Sequence, residues 1–135
     1  MHINHYTCPF SHLILSGRCS CKYSSKDCIA EKEFGTCTNN PASTDCLSFY
    51  TKLKDNSSFV LKSHNQPNLS VGQQSKLKMG ALIALQENIS GVSSDNVKDI
   101  FDLVYKIKIE HTDFSYINFS KLMPTISKYR FRNKH

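Results

Sequence analysis

All six cysteines of this chain, Cys8, Cys19, Cys21, Cys28, Cys37 and Cys46, fall within its first 46 residues, and no cysteine follows. Thiols at that density constrain folding before any hydrophobic pattern is considered. A segment so rich in cysteine is held by a soft metal, an iron–sulfur cluster or disulfides rather than by a core of its own.

The surroundings order these alternatives. The opening stretch, Met1-His2-Ile3-Asn4-His5-Tyr6, has no basic region. The nearest apolar run is Leu13-Ile14-Leu15, so no signal peptide is expected. No stretch approaches the roughly 18 apolar residues of a membrane span. The expectation is a soluble, cytoplasmic protein, a compartment in which thiols stay reduced and metal is favoured over disulfide. Disulfides and free, redox-switching thiols follow as lesser readings.

The spacing, C-x10-C-x-C-x6-C-x8-C-x8-C, matches neither the paired C-x2-C of zinc ribbons nor the ferredoxin run. Cys8, Cys19, Cys21 and Cys37 lie in loop-like sequence and are the expected ligands. Cys28 and Cys46 fall near expected helix starts and are held in reserve. Gly17 permits a tight bend before the Cys19–Cys21 pair. Arg18, Lys22 and Lys26 would favour thiolate there. Phe10, Leu13, Ile14, Leu15 and Phe34 could shield a cluster from water. This shielding tips the reading toward an iron–sulfur cluster, 4Fe–4S in kind, with zinc as the alternative. His2, His5 and His12 lie near Cys8 but read as a solvated tail. His64 and His111 read as structural, and Glu31 and Glu33 as a solvated face.

The rest of the chain carries a helical pattern. One domain spans residues 1–135: a Cys-rich region at 1–40, then a helical core at 41–135. A short helix is expected over Asp27–Phe34, capped by Ser24 or Asp27 and stopped by Gly35. A longer one is expected over 41–62, with Asn40 as cap and Pro41 in the first turn. Ser70 and Gln73 form a capping-box signature. The following Leu77–Leu85 segment is apolar almost all round, which marks a central, buried helix ended by Ser90-Gly91. Ser93 or Ser94 is expected to cap a third helix with the stripe Val97, Ile100, Phe101, Val104 and Ile107. A last, basic helix is expected from about Ser120, with Pro124 in its first turn. The fold expected is all-α, about four principal helices with the irregular Cys-rich region wrapped on the bundle and no strand.

The formal net charge is +6. Residues 1–46 hold equal numbers of acidic and basic side chains, so the excess belongs to the helical part. From Lys121 onward Lys128, Arg130, Arg132 and Lys134 interleave with Tyr129 and Phe131, and no acid occurs. Such a pattern can hold phosphates and stack bases; it can also dock an acidic redox partner. There is no Gly-rich phosphate loop. The leading functional expectation is an accessory electron-transfer or redox-sensing protein working with a larger protein partner, rather than an enzyme in its own right. The alternative is a zinc-stabilised interaction module that uses its basic C-terminal helix on nucleic acid or a protein.

Overall fold

A computed structural model describes residues 6–29, 32–57, 70–91, 96–110, 114 and 117–129. Five helices carry most of it: α1 (Ser11–Leu15), α2 (Asn40–Asp55), α3 (Val71–Ser90), α4 (Ile100–Glu110) and α5 (Met123–Lys128). A 3-10 turn, Phe119–Lys121, leads into α5. Three short strands accompany them: β1 (Tyr6–Thr7), β2 (Ser24–Ile29) and β3 (Lys32–Cys37).

α3 is the axis of the core, as its sequence predicts. Ser70 caps it through a reciprocal box: its hydroxyl accepts from the Gln73 amide at 3.2 Å, and the Gln73 side chain accepts from the Ser70 amide at 3.0 Å. Leu77, Met79, Ala81, Leu82, Ala84 and Leu85 are all buried. Gly91 closes the helix in the left-handed region, φ +73°. Gly80 lets another helix approach closely, since a Cβ there would lie 2.8 Å from the Ile126 Cα of α5. Phe49 and Leu53 of α2, and Ile100, Leu103, Val104 and Ile107 of α4, fill the other sides. Asp45 of α2 and Lys108 of α4 form an ion pair at 2.9 Å.

The expected helix over Asp27–Phe34 is a β-hairpin instead. β2 and β3 pair antiparallel from Ser24↔Cys37 to Ile29↔Lys32, and β1 adds to the other edge of β3. An eight-residue helix is marginal in water, whereas the hairpin gains a continuous ladder and a third strand. Gly35 is not a helix stop. Its amide donates to the Ser11 hydroxyl at 2.8 Å, and it sits so close to α1 that a Cβ would lie 3.0 Å from that oxygen.

Helix limits shift for similar tertiary reasons. Asn39, one residue before the expected cap, accepts from the Ala42 amide at 2.9 Å and caps α2. α2 ends at Asp55; residues 58–62 of the expected helix lie outside the described residues, as do Ser93 and Ser94. α4 starts at Ile100 because Val97 is drawn into a parallel bridge with Cys19. Ser20 N–H donates to the Val97 carbonyl at 2.9 Å, and Ile100 N–H donates to the Ser20 carbonyl at 2.9 Å. These bonds fasten the Cys-rich segment to the head of α4.

Candidate metal centre

The sheet fixes the position of Cys37. Cys37 ends β3 and pairs with Tyr6 of β1 on one side and Ser24 of β2 on the other. Cys8 follows one residue after β1. Cys21 precedes β2, its carbonyl accepting from the Ser24 amide at 3.0 Å. The chain then turns through Asn39 into α2, which carries Cys46 on its buried stripe with Phe49 and Leu53. The Ser43 hydroxyl donates to the Thr7 carbonyl at 2.6 Å and pins α2 to β1 beside Cys8.

Cys8, Cys21, Cys37 and Cys46 consequently line one cavity of about 10 Å³. Phe10, Ala42, Ile100 and Phe101 supply its apolar walls. That volume is about one water molecule's worth of room. A negative charge on Cys8, Cys21 or Cys37 would be felt at Cys46, and one on Cys21 or Cys37 at Cys8.

Burial dominates their chemistry. It pushes the Cys8 thiol from 9.0 up to about 11, opposed by a hydrogen bond from the Phe10 backbone and by Lys78, and reinforced by Cys21 and Cys37. It raises Cys21 as well, against hydrogen bonds from the Tyr23 and Phe101 backbones. Cys46 is raised too, first by burial and then by Cys21, Cys8, Cys37 and Asp45. The Cys37 thiol donates to the Asn39 carbonyl at 3.3 Å. At neutral pH the Cys8, Cys21 and Cys46 thiols are therefore protonated. Backbone amides already face two of the sulfurs, the arrangement that stabilises a thiolate once a proton leaves.

Three of the four expected ligands, Cys8, Cys21 and Cys37, reach this cavity, and Cys19 does not line it. Cys19 is 3% exposed, and its Sγ donates to the Met79 Sδ at 3.4 Å within the core. Burial raises its thiol to about 12. The reserve Cys46 takes the fourth place. The signal was present in the sequence: Cys46 shares the apolar stripe of α2, and that stripe must face the core and the Cys-rich segment packed on it. Cys28 belongs to β2 opposite Glu33, four residues from Ser24. That is roughly 13 Å along a strand from the cavity end. Its side chain lies outside the described residues.

Other expected participants stand apart. His12 is exposed on α1. His2, His5, His64, His111 and Glu31 lie outside the described residues, as do the side chains of Lys26, Glu33 and Phe34. Phe10 and Leu13 are buried as expected. Lys22 extends over the Tyr23 and Phe101 rings, 5.6 Å from each centroid. Of the basic end, Lys121 and Lys128 are exposed, while Arg130, Phe131, Arg132 and Lys134 lie outside the described residues.

Among the described residues, no group of three or more His, Cys, Asp or Glu side chains is set, as it stands, to hold a metal ion. Among them, too, no helix is long and apolar enough to cross a membrane. No family model, curated protein or solved structure matches the chain.

Proposed function

We propose that the chain is a metal-stabilised interaction module in which Cys8, Cys21, Cys37 and Cys46 hold one soft metal ion, zinc first among them. The observation that carries this reading is four thiols from four separate segments lining one small cavity. Four thiolates match the donor set of structural zinc. The walls are largely apolar, and backbone amides face Cys8 and Cys21, which suits anionic sulfur. A cavity of about 10 Å³ has room for one ion. A 4Fe–4S cluster, with eight core atoms, requires the walls to part. Binding requires the thiols to lose their protons and turn inward, so it is coupled to proton release.

The role of such a centre is structural. It would join β1, β3, the segment before β2 and α2 at one point, where the small sheet otherwise leans on a few hydrogen bonds. The helical part carries the positive excess, so a partner of acidic character is proposed, either a protein face or nucleic acid.

The test is metal analysis of the chain purified anaerobically from cells supplied with both zinc and iron. One zinc per chain, with loss of sheet order on chelation, is expected. Iron with equimolar acid-labile sulfide would replace zinc by a cluster. A reduced, folded chain with no metal and no affinity for added zinc would sink both. Partner binding should weaken steeply with salt if the partner is a polyanion.

A further inference from the structure

We infer that the outer face of α4 is a two-fold interface with a second copy of this chain. The inference stands apart from the metal-centre reading and uses none of the cysteines. α4 buries Ile100, Leu103, Val104 and Ile107 against the core. A surface helix normally turns charged residues the other way. α4 instead carries Phe101, Tyr105 and Ile109 there, each one turn from the next. Tyr105 is 49% exposed and Ile109 64%, and Phe101 is half-buried. The rings are continuous: Phe101 lies 5.8 Å from Tyr105 and 5.2 Å from Tyr23, centroid to centroid. Beside Tyr105 and Ile109 the patch runs into a groove of about 810 Å³ whose apolar walls include Ile89, Ile117 and Leu122. A single exposed apolar side chain needs no explanation, but a contiguous patch rimmed by charge marks an interface.

The pattern of the stripe names its occupant. Phe101 and Ile109 stand four residues, or about 6 Å of helix axis, on either side of Tyr105. In a two-fold dimer residue i meets j while j meets i. Two α4 helices laid antiparallel about an axis at Tyr105 therefore set Phe101 against Ile109 of the copy, twice, and Tyr105 beside its own copy. The charges repeat this symmetry. At one end the Lys22 Nζ reaches over the Phe101 ring, 5.6 Å from its centroid, and exposed Lys98 precedes the helix. Asp99 at that end is already engaged by the Lys22 amide at 3.3 Å. At the other end Glu110 is exposed beside Ile109. Antiparallel pairing brings the lysine end of one chain to the Glu110 end of the other. Asp102 and Lys106, joined at 3.0 Å, flank Tyr105, so each approaches its opposite charge in the copy. A polyanion on this face would instead meet Asp102 and Glu110, whereas a second copy is complementary to it.

The experiment is sedimentation equilibrium of the full chain in reducing buffer. The wild type should reach twice its chain mass of 15.4 kDa. Tyr105→Ser and Ile109→Ser, both at exposed positions, should keep the circular dichroism of the wild type and weaken self-association by about 10-fold or more. Leu47→Ser, on the outer face of α2 at 39% exposure, should leave it unchanged. Glu110→Lys and Lys22→Glu should each weaken it alone, and mixing the two variants should restore it, because both cross-chain pairs then carry opposite charges again. A wild type that stays monomeric overturns the inference. If Tyr105→Ser in that monomer weakens binding of a single-stranded dT oligonucleotide, the face belongs to that ligand instead. A dimer indifferent to Tyr105 and Ile109, or variants whose mixture restores nothing, would equally overturn the antiparallel α4 interface.

Discussion

Truncating Cys46 and Cys19 separately to alanine tests a proposed ligand against a core residue, because the two changes are chemically identical. Both thiols are buried, at 7% and 3% exposure, and each substitution removes one heavy atom. The cost to the metal-free chain should be about 1 kcal/mol in each case, or about 4 °C in melting temperature for a domain of this size. The variants should part company once metal is added. Zinc bound by four ligands is worth about 10–16 kcal/mol in small domains, so about 2.5–4 kcal/mol falls to each ligand. Cys46→Ala should therefore lower zinc affinity by about 10² to 10³-fold, and Cys19→Ala by less than about threefold. Chelator competition on reduced protein reads the affinity, and thermal melts of the apo chains read the shared packing loss. An affinity loss in Cys19→Ala equal to that in Cys46→Ala would refute the assignment of the cavity quartet, and so would an unaffected Cys46→Ala.

Three further outcomes are expected. Gly80→Ala should destabilise the chain despite the helix-propensity gain of about 1 kcal/mol, because the new Cβ meets the Ile126 backbone at 2.8 Å and overpacking costs about 1–3 kcal/mol. Gly72→Ala, where a Cβ meets nothing within 4 Å, should be neutral or stabilising; urea melts of both would decide, and the opposite order would show that α3 and α5 are not in close contact. Ser43→Ala should cost about 1–3 kcal/mol by leaving the Thr7 carbonyl without its 2.6 Å donor, with faster hydrogen exchange in β1 as the specific readout. In the metal-free, reduced chain, Cys8 and Cys19 have folded-state values of about 11 and about 12 against 9.0. Groups raised on folding contribute stability that is complete below pH 9 and lost as pH rises toward 11 to 12, in all several kcal/mol. Urea melts at pH 8 and pH 10.5 should differ accordingly, and a flat profile would contradict thiol burial.

Much of the helical part was legible because its signals are local. The Ser70–Gln73 box, the Gly91 stop and the all-apolar Leu77–Leu85 segment each specify one outcome without reference to the rest of the chain. The stripe of α4 was legible too, but not its start, since only the bridge from Cys19 to Val97 removes that residue from the helix. The hairpin was not legible. Asp27–Phe34 has fair helix formers, and its strand character depends on β1, thirty residues away from Cys37. At the candidate site, three of the four expected ligands, Cys8, Cys21 and Cys37, line one cavity. The exchange of Cys46 for Cys19 turns on which way a side chain faces. For Cys19 that is decided by Met79, sixty residues later.

The bridge between Cys19 and Val97 also bears on how the chain comes into being. Every cysteine leaves the ribosome well before Ile100 and Phe101, which roof the cavity, and before the Phe101 amide that serves Cys21. A nascent chain stalled at residue 90 would display all its thiols with no lid over them, open to any stray metal or oxidant. Selective loading of the proposed centre would thus be a late event in synthesis, timed by the arrival of a helix that contributes none of its proposed ligands.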